Sequence, residues 1–597
     1  MPPLPSNPHE AHIMHTRVCY RVTPRPLSHQ FEVSLRFFPN AGDREVLLSL
    51  PAWIPGSYMI REFARNIVHI EADQNHESIV LTKQDKHTWR AVLRDDSAVH
   101  VLYRVYAWDM SVRTSYLDTL RGFFNGTSVC LRVHGHEQSL CEIDVCPPEG
   151  LAPVWQVSTG LTPARAQDES GNFPGEGQPL RYLAQNYDEL IDGPVEMGLM
   201  KTAQFTACGV KHQIAITGAF DDVDIDRLCK DLQPVCEAQI KLFDPRGQAP
   251  FSRYVFLIHA TDNGYGGLEH RNSTALLCSR KDLPHIGMKD SHADYRTFLG
   301  LCSHEYFHAW NVKRIKPSAF MEYLLDRENY TRQLWLFEGF TSYYDDLVLL
   351  RTGLLTPVQY GEAIAKTYGS VMKHRGHTQQ SVADSSFDAW IKYYRQDENS
   401  PNAIVSYYTK GSMVALCLDA LIRRETQNHQ SLDDVMRWLW LNYGKAQRGV
   451  GEEEFADIVQ ASTGLDVREF LQQAVNGTEP LPMEESLKVL GFQLQAKDPD
   501  NRCDWGLTTN VMNDFTNVRQ VRNGSCGERS GIAPGDLIVA IDGFRATSDQ
   551  VKRMLSRKRP GDISRVHVMR REHLMELELH WEAAGVQEWK VLPAEAK

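Results

Sequence analysis

The stretch His304-Glu305-Tyr306-Phe307-His308 lies near the middle of the 597-residue chain and is its most informative feature. In a helix, residues four apart project from one face, so the two imidazoles can bind one metal ion. Glu305 then lies beside the ion, where a carboxylate can accept a proton from water. The alternative is a chance match on an exposed helix, since the chain has 23 histidines. We predict a helix that carries a hydrolytic zinc site.

A third ligand is expected because a catalytic zinc ion usually has three protein ligands and an open fourth position. The candidate is Glu338, in the stretch Leu334-Trp335-Leu336-Phe337-Glu338-Gly339-Phe340-Thr341. The apolar residues there predict a buried helix, in which a carboxylate is rare unless it is paired or bound to a metal ion. We therefore predict that His304, His308 and Glu338 hold one Zn2+ per chain. Ser342 and Asp345 are candidate acceptors that orient the imidazoles.

Length and composition predict a large globular protein of three or four domains. The chain is 42% hydrophobic and 23% charged, and it has no run of about 18 apolar residues that could cross a bilayer. Its net charge of -12 argues against nucleic acid as a partner, because phosphate binding needs a positive surface. We expect neither a membrane span nor a nucleic-acid site.

The N-terminal residues and the cysteines both bear on the cellular compartment. Residues 1–10 lack the basic start and apolar core of a secretory signal. The 12 cysteines have no paired short spacings apart from Cys141 and Cys146, a pattern typical of reduced thiols. We expect a cytoplasmic protein.

The pattern of apolar residues changes twice along the chain. Short alternating segments up to about residue 181 predict strands. These are Val18 to Val22, Glu32 to Phe38, Val46 to Leu50, Trp89 to Leu93 and Val99 to Ala107. Long helical segments follow up to about residue 477, namely Asp294 to Val312, Gln333 to Thr352 and Gly411 to Arg424. We predict a multidomain α+β protein with an all-β, sandwich-like domain at 1–190, a mostly helical catalytic domain at 191–480 and a further β domain at 481–597.

The last of these regions contains Gly531-Ile532-Ala533-Pro534-Gly535-Asp536-Leu537-Ile538-Val539-Ala540-Ile541-Asp542-Gly543, which resembles a PDZ domain of the protease-associated kind. Leu490-Gly491-Phe492 then takes the place of the loop whose backbone N–H groups capture a peptide C-terminus. In the alternative interpretation, Leu490 and Phe492 fill the domain core and the groove is closed. The resemblance implies a PDZ domain at 481–597 with a peptide C-terminus as a candidate partner.

Two further motifs resemble segments of aminopeptidase N relatives. Tyr408-Thr409-Lys410-Gly411 is similar to their Tyr-x-Lys-Gly segment, in which the tyrosine hydroxyl donates to the tetrahedral intermediate. The resemblance gives that role to Tyr408, with Tyr407 as the competing candidate.

The second motif, Gly266-Gly267-Leu268-Glu269-His270, is similar to their Gly-x-Met-Glu-Asn segment, an edge strand whose carboxylate binds the free α-ammonium of the substrate. The resemblance implies that Gly266, Gly267 and Glu269 bind substrate. Leucine and histidine replace the methionine and asparagine of the motif. The alternative is a glycine-rich turn with Glu269 in solvent.

Together these stretches resemble the glycyl aminopeptidase family, metallopeptidases with an N-terminal β domain, a thermolysin-like catalytic domain and a C-terminal PDZ domain. Other stretches similar to that family are Trp53-Ile54-Pro55-Gly56-Ser57-Tyr58 with Arg61 and Glu62, Asp188-Glu189-Leu190, Pro194-Val195-Glu196-Met197-Gly198 and Asn311-Val312-Lys313-Arg314-Ile315. One departure from aminopeptidase N is the longer interval between His308 and Glu338, which implies an inserted segment between the two zinc-binding helices.

The resemblance implies a zinc-dependent aminopeptidase that hydrolyses the N-terminal peptide bond of peptides. Glu305 would act as the general base, and the family name suggests a preference for glycine or another small first residue. One alternative is a zinc endopeptidase that recruits substrates through its PDZ domain. The other is a non-catalytic scaffold in which zinc only stabilises the middle of the chain.

Overall fold

The computed structural model describes residues 17–148, 155–174, 177–497, 502–512, 514–586 and 588–594. Residues 1–10, on which the predicted lack of a secretory signal rests, lie outside these ranges. The chain forms two compact units, residues 1–329 and residues 330–597. It is a multidomain α+β protein with an N-terminal β domain, a helical middle and a C-terminal β region, which confirms the predicted fold class at that level. The predicted domain boundaries stay predictions.

Three sheets build the N-terminal β region, and all five predicted strands are present there. Alternate residues are buried along Gln30–Phe37, as the period of two in a half-buried strand requires. In spatial order the eight-stranded sheet consists of Thr162–Pro163, Leu180–Ala184, Leu140–Val145, Arg17–Arg25, Gln30–Phe37, Val99–Tyr106, Ile67–Gln74 and Glu77–Ser78. The two four-stranded sheets consist of Gln156–Thr159, Val195–Gly198, Arg121–Phe124 and Ser115–Leu117, and of Arg132–Val133, Glu45–Ser49, Thr88–Val92 and Leu81–Lys83.

A mixed five-stranded sheet follows within the first unit. Its strands are, in spatial order, Met200–Ala207, Val210–Thr217, Arg253–Thr261, Ser273–Ser279 and Tyr265–Glu269. The last of these, which we call the edge strand, pairs antiparallel with Ser273–Ser279 at one side of the sheet. The helices of this unit are Gly126–Val129, Tyr187–Ile191, Ile225–Phe243 and Ala293–Phe307.

The helix that carries the His-Glu-x-x-His motif is shorter than predicted. It spans Ala293–Phe307 instead of continuing to Val312, and His308 is its C-cap. Beyond it the chain turns, with Lys313 N donating to His308 O at 3.1 Å. The prediction overshot because Ala309, Trp310 and Val312 are buried and continue the apolar pattern without being helical.

The helices of the second unit are Phe340–Arg351, Pro357–Met372, Val382–Phe387, Ser400–Ala403, Thr409–Glu425, Leu432–Leu439, Phe455–Thr463, Arg468–Leu471, Met483–Val489, Cys526–Arg529 and Ser548–Leu555. The predicted helix Gln333 to Thr352 begins with a π-helical turn at Trp335–Gly339. There Gly339 packs against Gly411, because a Cβ on Gly339 would lie 2.6 Å from the Gly411 Cα. This close approach sets the helix of Glu338 beside the helix that follows Tyr408.

The C-terminal β region contains a sheet of Leu507–Met512, Phe515–Val521, Leu537–Ile541, Ile563–Arg570 and His573–His580, with Phe544–Arg545 paired to Leu537–Ile541. Phe492–Ala496 instead pairs with Trp589–Pro593. The predicted position of Leu490-Gly491-Phe492 as the carboxylate-binding loop is therefore wrong, because that segment does not lead into the edge of the main sheet. The segment Trp505-Gly506-Leu507 leads into Leu507–Met512, the strand at the edge of that sheet.

None of the helices in the described ranges combines the length and the apolar character that a bilayer span requires. All 12 cysteines are free thiols in the structure.

Asp536 ties the turn before Leu537–Ile541 to a neighbouring strand. It is fully buried and accepts hydrogen bonds from Arg570 Nε at 2.8 Å and Arg570 Nη2 at 2.9 Å. Asp536→Ala should therefore lower the free energy of unfolding by about 2–3 kcal/mol. The loss should fall below the ~3–5 kcal/mol of fully buried pairs, because the Arg570 side chain is 36% exposed. Differential scanning calorimetry measures the effect.

The matched control is Asp549→Ala, at an exposed position in the first turn of Ser548–Leu555. It should change the free energy of unfolding by about 0.5 kcal/mol or less. Equal effects of the two substitutions would show that the Asp536 ion pair does not hold the C-terminal region together.

Candidate metal centre and active site

The two motif histidines direct their Nε2 atoms towards one point. His308 is 1% exposed, and its Nε2 lies 3.1 Å from Nε2 of His304. Two nitrogens at this separation can share a zinc ion at about 2.0–2.1 Å from each. The Nδ1 of His308 lies 2.5 Å from the backbone oxygen of Asn311, to which it donates. That hydrogen bond selects the tautomer whose Nε2 carries a free lone pair.

The predicted ligand residues form a group of potential ligand atoms. His304, His308 and Glu338 each offer one such atom, and these atoms all lie within 4.8 Å of one another. Glu338 is 1% exposed. Two imidazoles and a carboxylate are a donor set that catalytic zinc uses, so the residues fit this ion. The structure thus brings these three residues together, and their binding of an ion stays a prediction.

Glu305 lies against the edge strand. Its side chain is buried, and a Cβ built on Gly267 would lie only 2.0 Å from Glu305 Oε1. Any larger residue at position 267 would therefore displace the carboxylate. Gly267 is needed here for close approach, which is a different use from the turn that the alternative interpretation of the motif assumed.

Glu269, on the same edge strand, is 4% exposed, so the alternative with Glu269 in solvent is wrong. Its Oε1 is buried and has no hydrogen-bond partner among the described residues. Gly56, with a φ of 97°, packs on this carboxylate, since a Cβ there would lie 2.5 Å from Oε1. A buried carboxylate oxygen without a donor is unfavourable, which marks Glu269 as a site for a cation.

A network of charged groups fixes the residues that follow Glu269. His270 Nδ1 lies 3.3 Å from Asp192 Oδ1, and Lys313 Nζ lies 2.6 Å from the same oxygen. Although burial alone would raise it, Lys313 and Arg271 together hold the pKa of Asp192 well below its usual range. The network thus joins two separate chain segments, at Asp192 and Lys313, to the residue that follows Glu269.

The ionisation of Tyr408 is affected by the nearby charge of Glu338. Burial, and secondly the negative charge of Glu338, raise the pKa of Tyr408 well above its usual range. The hydroxyl therefore stays protonated at neutral pH and can donate a hydrogen bond. Its oxygen lies 3.3 Å from the hydroxyl oxygen of Tyr394. The competing candidate Tyr407 is fully buried, with its ring 4.7 Å from that of Tyr408.

Sequence reasoning missed three contributors to these contacts. The pair Tyr393-Tyr394 was a visible signal, but nothing linked it to Tyr408 across the intervening residues. Gly56 belongs to a quoted stretch whose role was unknown. The Asn311 carbonyl is a backbone group, which carries no signal in the sequence.

Comparisons with known proteins place these residues in a wider context. The Peptidase M61 N-terminal domain matches residues 19–199, and the M61 glycyl aminopeptidase family matches residues 297–414. The crystal structure of an aminopeptidase N family protein from Idiomarina loihiensis is 39% identical, over 97% of this chain and 98% of that chain, with a TM-score of 0.91. A mutant M1 zinc metallopeptidase from Deinococcus radiodurans, bound to a Tyr-Ser-Ala substrate, is 12% identical over 78% of this chain and 95% of that chain, with a TM-score of 0.49. The comparison with curated proteins gives no match.

His212 supports the motif helix and makes stability depend on pH. Its Nε2 lies 2.8 Å from the Tyr306 hydroxyl, and burial lowers its pKa from 6.5 to about 4. Between pH 6.5 and 4 the unfolded chain binds a proton that the folded chain does not, so this contribution to stability is lost as the pH falls. His212→Gln should therefore reduce the dependence of the free energy of unfolding on pH in this window by up to about 1.4 kcal/mol per pH unit.

Thermal unfolding at pH 4 to 7 measures this effect, with the exposed His573→Gln as the control. The wild type and the control should lose Tm in parallel as the pH falls, and His212→Gln should lose less. Parallel profiles for all three proteins would contradict the assignment.

Proposed function

We propose that this chain, which belongs to the M61 glycyl aminopeptidase family and is a metallopeptidase, is a zinc-dependent aminopeptidase. The observation that carries the proposal is the buried Glu269, whose Oε1 lacks a hydrogen-bond donor among the described residues. The α-ammonium of a peptide supplies both the positive charge and the donors that this oxygen lacks. An internal peptide segment has backbone N–H donors but no positive charge for this carboxylate, which argues against the endopeptidase alternative.

His304, His308 and Glu338 would hold the zinc ion. When bound, zinc supplies Lewis acidity towards the scissile carbonyl and towards a water molecule. The hydrogen bond from His308 Nδ1 to Asn311 O holds one of these imidazoles in the orientation that binding requires.

Glu305 is the proposed general base. It accepts a proton from the attacking water and passes it to the leaving amine. Because its carboxylate lies against Gly267, it is held beside the edge strand that binds the substrate backbone. Glu305 is 5% exposed, and this burial keeps bulk water away from its carboxylate.

Tyr408 is the proposed donor to the oxyanion. Its raised pKa keeps the proton on the hydroxyl, so a hydrogen bond is available when negative charge develops on the substrate oxygen. A preference for glycine or another small first residue follows the family description. The packing of Gly56 on Glu269 supports it, because the backbone of that loop lies where the first residue would be held.

The proposal includes a thermolysin-like catalytic domain at 191–480 between the β domain at 1–190 and a PDZ domain at 481–597. The PDZ groove would lie between the strand Leu507–Met512 and the helix Ser548–Leu555. A cavity of about 210 Å³ adjoins Gly506 and is also lined by Lys373 and Arg522. This cavity is where a peptide C-terminus would bind as a second partner.

Glu305→Gln should keep bound zinc and lose hydrolysis by about 10²–10⁴-fold, because a proton acceptor is removed and the ligand residues remain. Metal analysis and the turnover of a glycyl dipeptide measure the two effects. His308→Ala should lose both metal and activity, and Glu322→Gln, at an exposed position, should lose neither. Unchanged turnover in Glu305→Gln would rule out this mechanism.

Glu269→Gln should raise KM for peptides with a free N-terminus by about 10²-fold, since one ion pair with the α-ammonium is lost. The wild type should hydrolyse N-acetylated versions of the same peptides at no more than about one hundredth of the rate. A steady-state assay of free and acetylated pairs measures both. Equal rates on the two would favour the endopeptidase alternative.

Tyr408→Phe should lower kcat by about 10²–10³-fold with little change in KM, because the hydroxyl acts on charge that develops in the transition state. Tyr407→Phe is the matched control and should lower kcat by less than about tenfold. The opposite ranking would transfer the role to Tyr407.

A further inference from the structure

Arg113 lies against the edge strand. Its Nη2 lies 3.2 Å from the backbone oxygen of Gly267, and its Nη1 lies 3.7 Å from where a Cβ on Gly266 would be. His270 N donates to Ser273 O in the neighbouring strand. In an antiparallel pair, only every second residue hydrogen-bonds to that neighbour, and Gly267 lies three residues before His270. The Gly267 carbonyl therefore faces the free side of the strand, where a substrate backbone would bind, and the Arg113 guanidinium lies on that side.

The guanidinium has no anionic partner among the described residues. It forms no ion pair there, and its buried Nε has no hydrogen-bond partner. Arg121, in the same β region, shows the usual arrangement, with Nε and Nη2 donating to Glu196 at 2.6 and 2.7 Å. A guanidinium presents several donors in a planar fork that matches a carboxylate, so Arg113 is suited to an anion that arrives with a ligand.

The loop that carries Arg113 is held in place before any ligand binds. The fully buried Asn125 donates through Nδ2 to Val112 O at 2.9 Å and to Thr114 O at 3.2 Å. Both neighbours of Arg113 are therefore fixed by one side chain. A fixed cation loses little entropy when an anion binds.

We propose that Arg113 binds the C-terminal carboxylate of a dipeptide whose α-ammonium is held by Glu269, which rests on the proposed function. Glu269 and Gly267 are two residues apart, or roughly 6.6–6.8 Å along a strand. An extended dipeptide spans roughly the same length. Glu305 and Arg113 both lie at Gly267, and Arg113 also reaches Gly266, so both are about two residues along the strand from Glu269. The charges of Glu269 and Arg113 are thus separated by the length of about two residues. Dipeptides with a free carboxylate are therefore the preferred substrate class of the site.

The experiment compares glycyl dipeptides that end in a free carboxylate with the same dipeptides ending in an amide. The wild type should hydrolyse the acids with a kcat/KM about 10–100-fold higher, mainly through KM. Arg113→Gln should reduce that ratio to about one. Arg113→Lys should give an intermediate ratio, because a point charge replaces a planar fork.

The control is Arg90→Gln, a half-exposed arginine of the N-terminal β region that pairs with Glu45, and it should keep the wild-type ratio. A ratio of about one in the wild type would overturn the proposal without any variant. An unchanged ratio in Arg113→Gln would also overturn it. If the wild type hydrolysed neither acids nor amides, the proposed function itself would fail, and this inference with it.

Discussion

The hydrogen bond between His308 Nδ1 and the Asn311 carbonyl is the constraint on which the candidate centre depends. It exists because the motif helix ends at Phe307 and the chain turns back, which brings a backbone oxygen three residues ahead to the ring. With Nδ1 occupied, Nε2 of His308 is left facing Nε2 of His304. A longer helix would have pointed this carbonyl along its axis, and the orientation of the imidazole would have needed a side chain from elsewhere.

Glycines recur wherever the backbone must approach a functional group. Gly56 packs on the Glu269 carboxylate, Gly267 on the Glu305 carboxylate and Gly339 on Gly411. In each case a single methyl group would overlap the neighbouring atoms. The chemistry of the site is thus carried by side chains, but its spacing is set by residues that have none.

Much of the site could be predicted from the sequence because its signals are local. The i and i+4 spacing of His304 and His308 needs only helix geometry, and the apolar residues around Glu338 indicate burial directly. The end of the motif helix could not be predicted, because buried residues continue past it in another conformation. The position predicted for Leu490-Gly491-Phe492 was wrong for a related reason, since the partner of the strand Phe492–Ala496 lies far along the chain, at Trp589–Pro593.

The strand Trp589–Pro593 also packs on the helix Pro357–Met372, where the oxygen of Val591 lies 2.2 Å from the position of a Cβ on Gly361. Residue 589 follows residue 372 by 217 positions. During synthesis on the ribosome, the helix is therefore complete well before the strand that packs on it has been made. The part of the helix that this strand covers is exposed during that interval, although the helices Phe340–Arg351 and Thr409–Glu425 can already pack on other parts of it. The packing of this helix can therefore be completed only after the final strand of the unit has been synthesised.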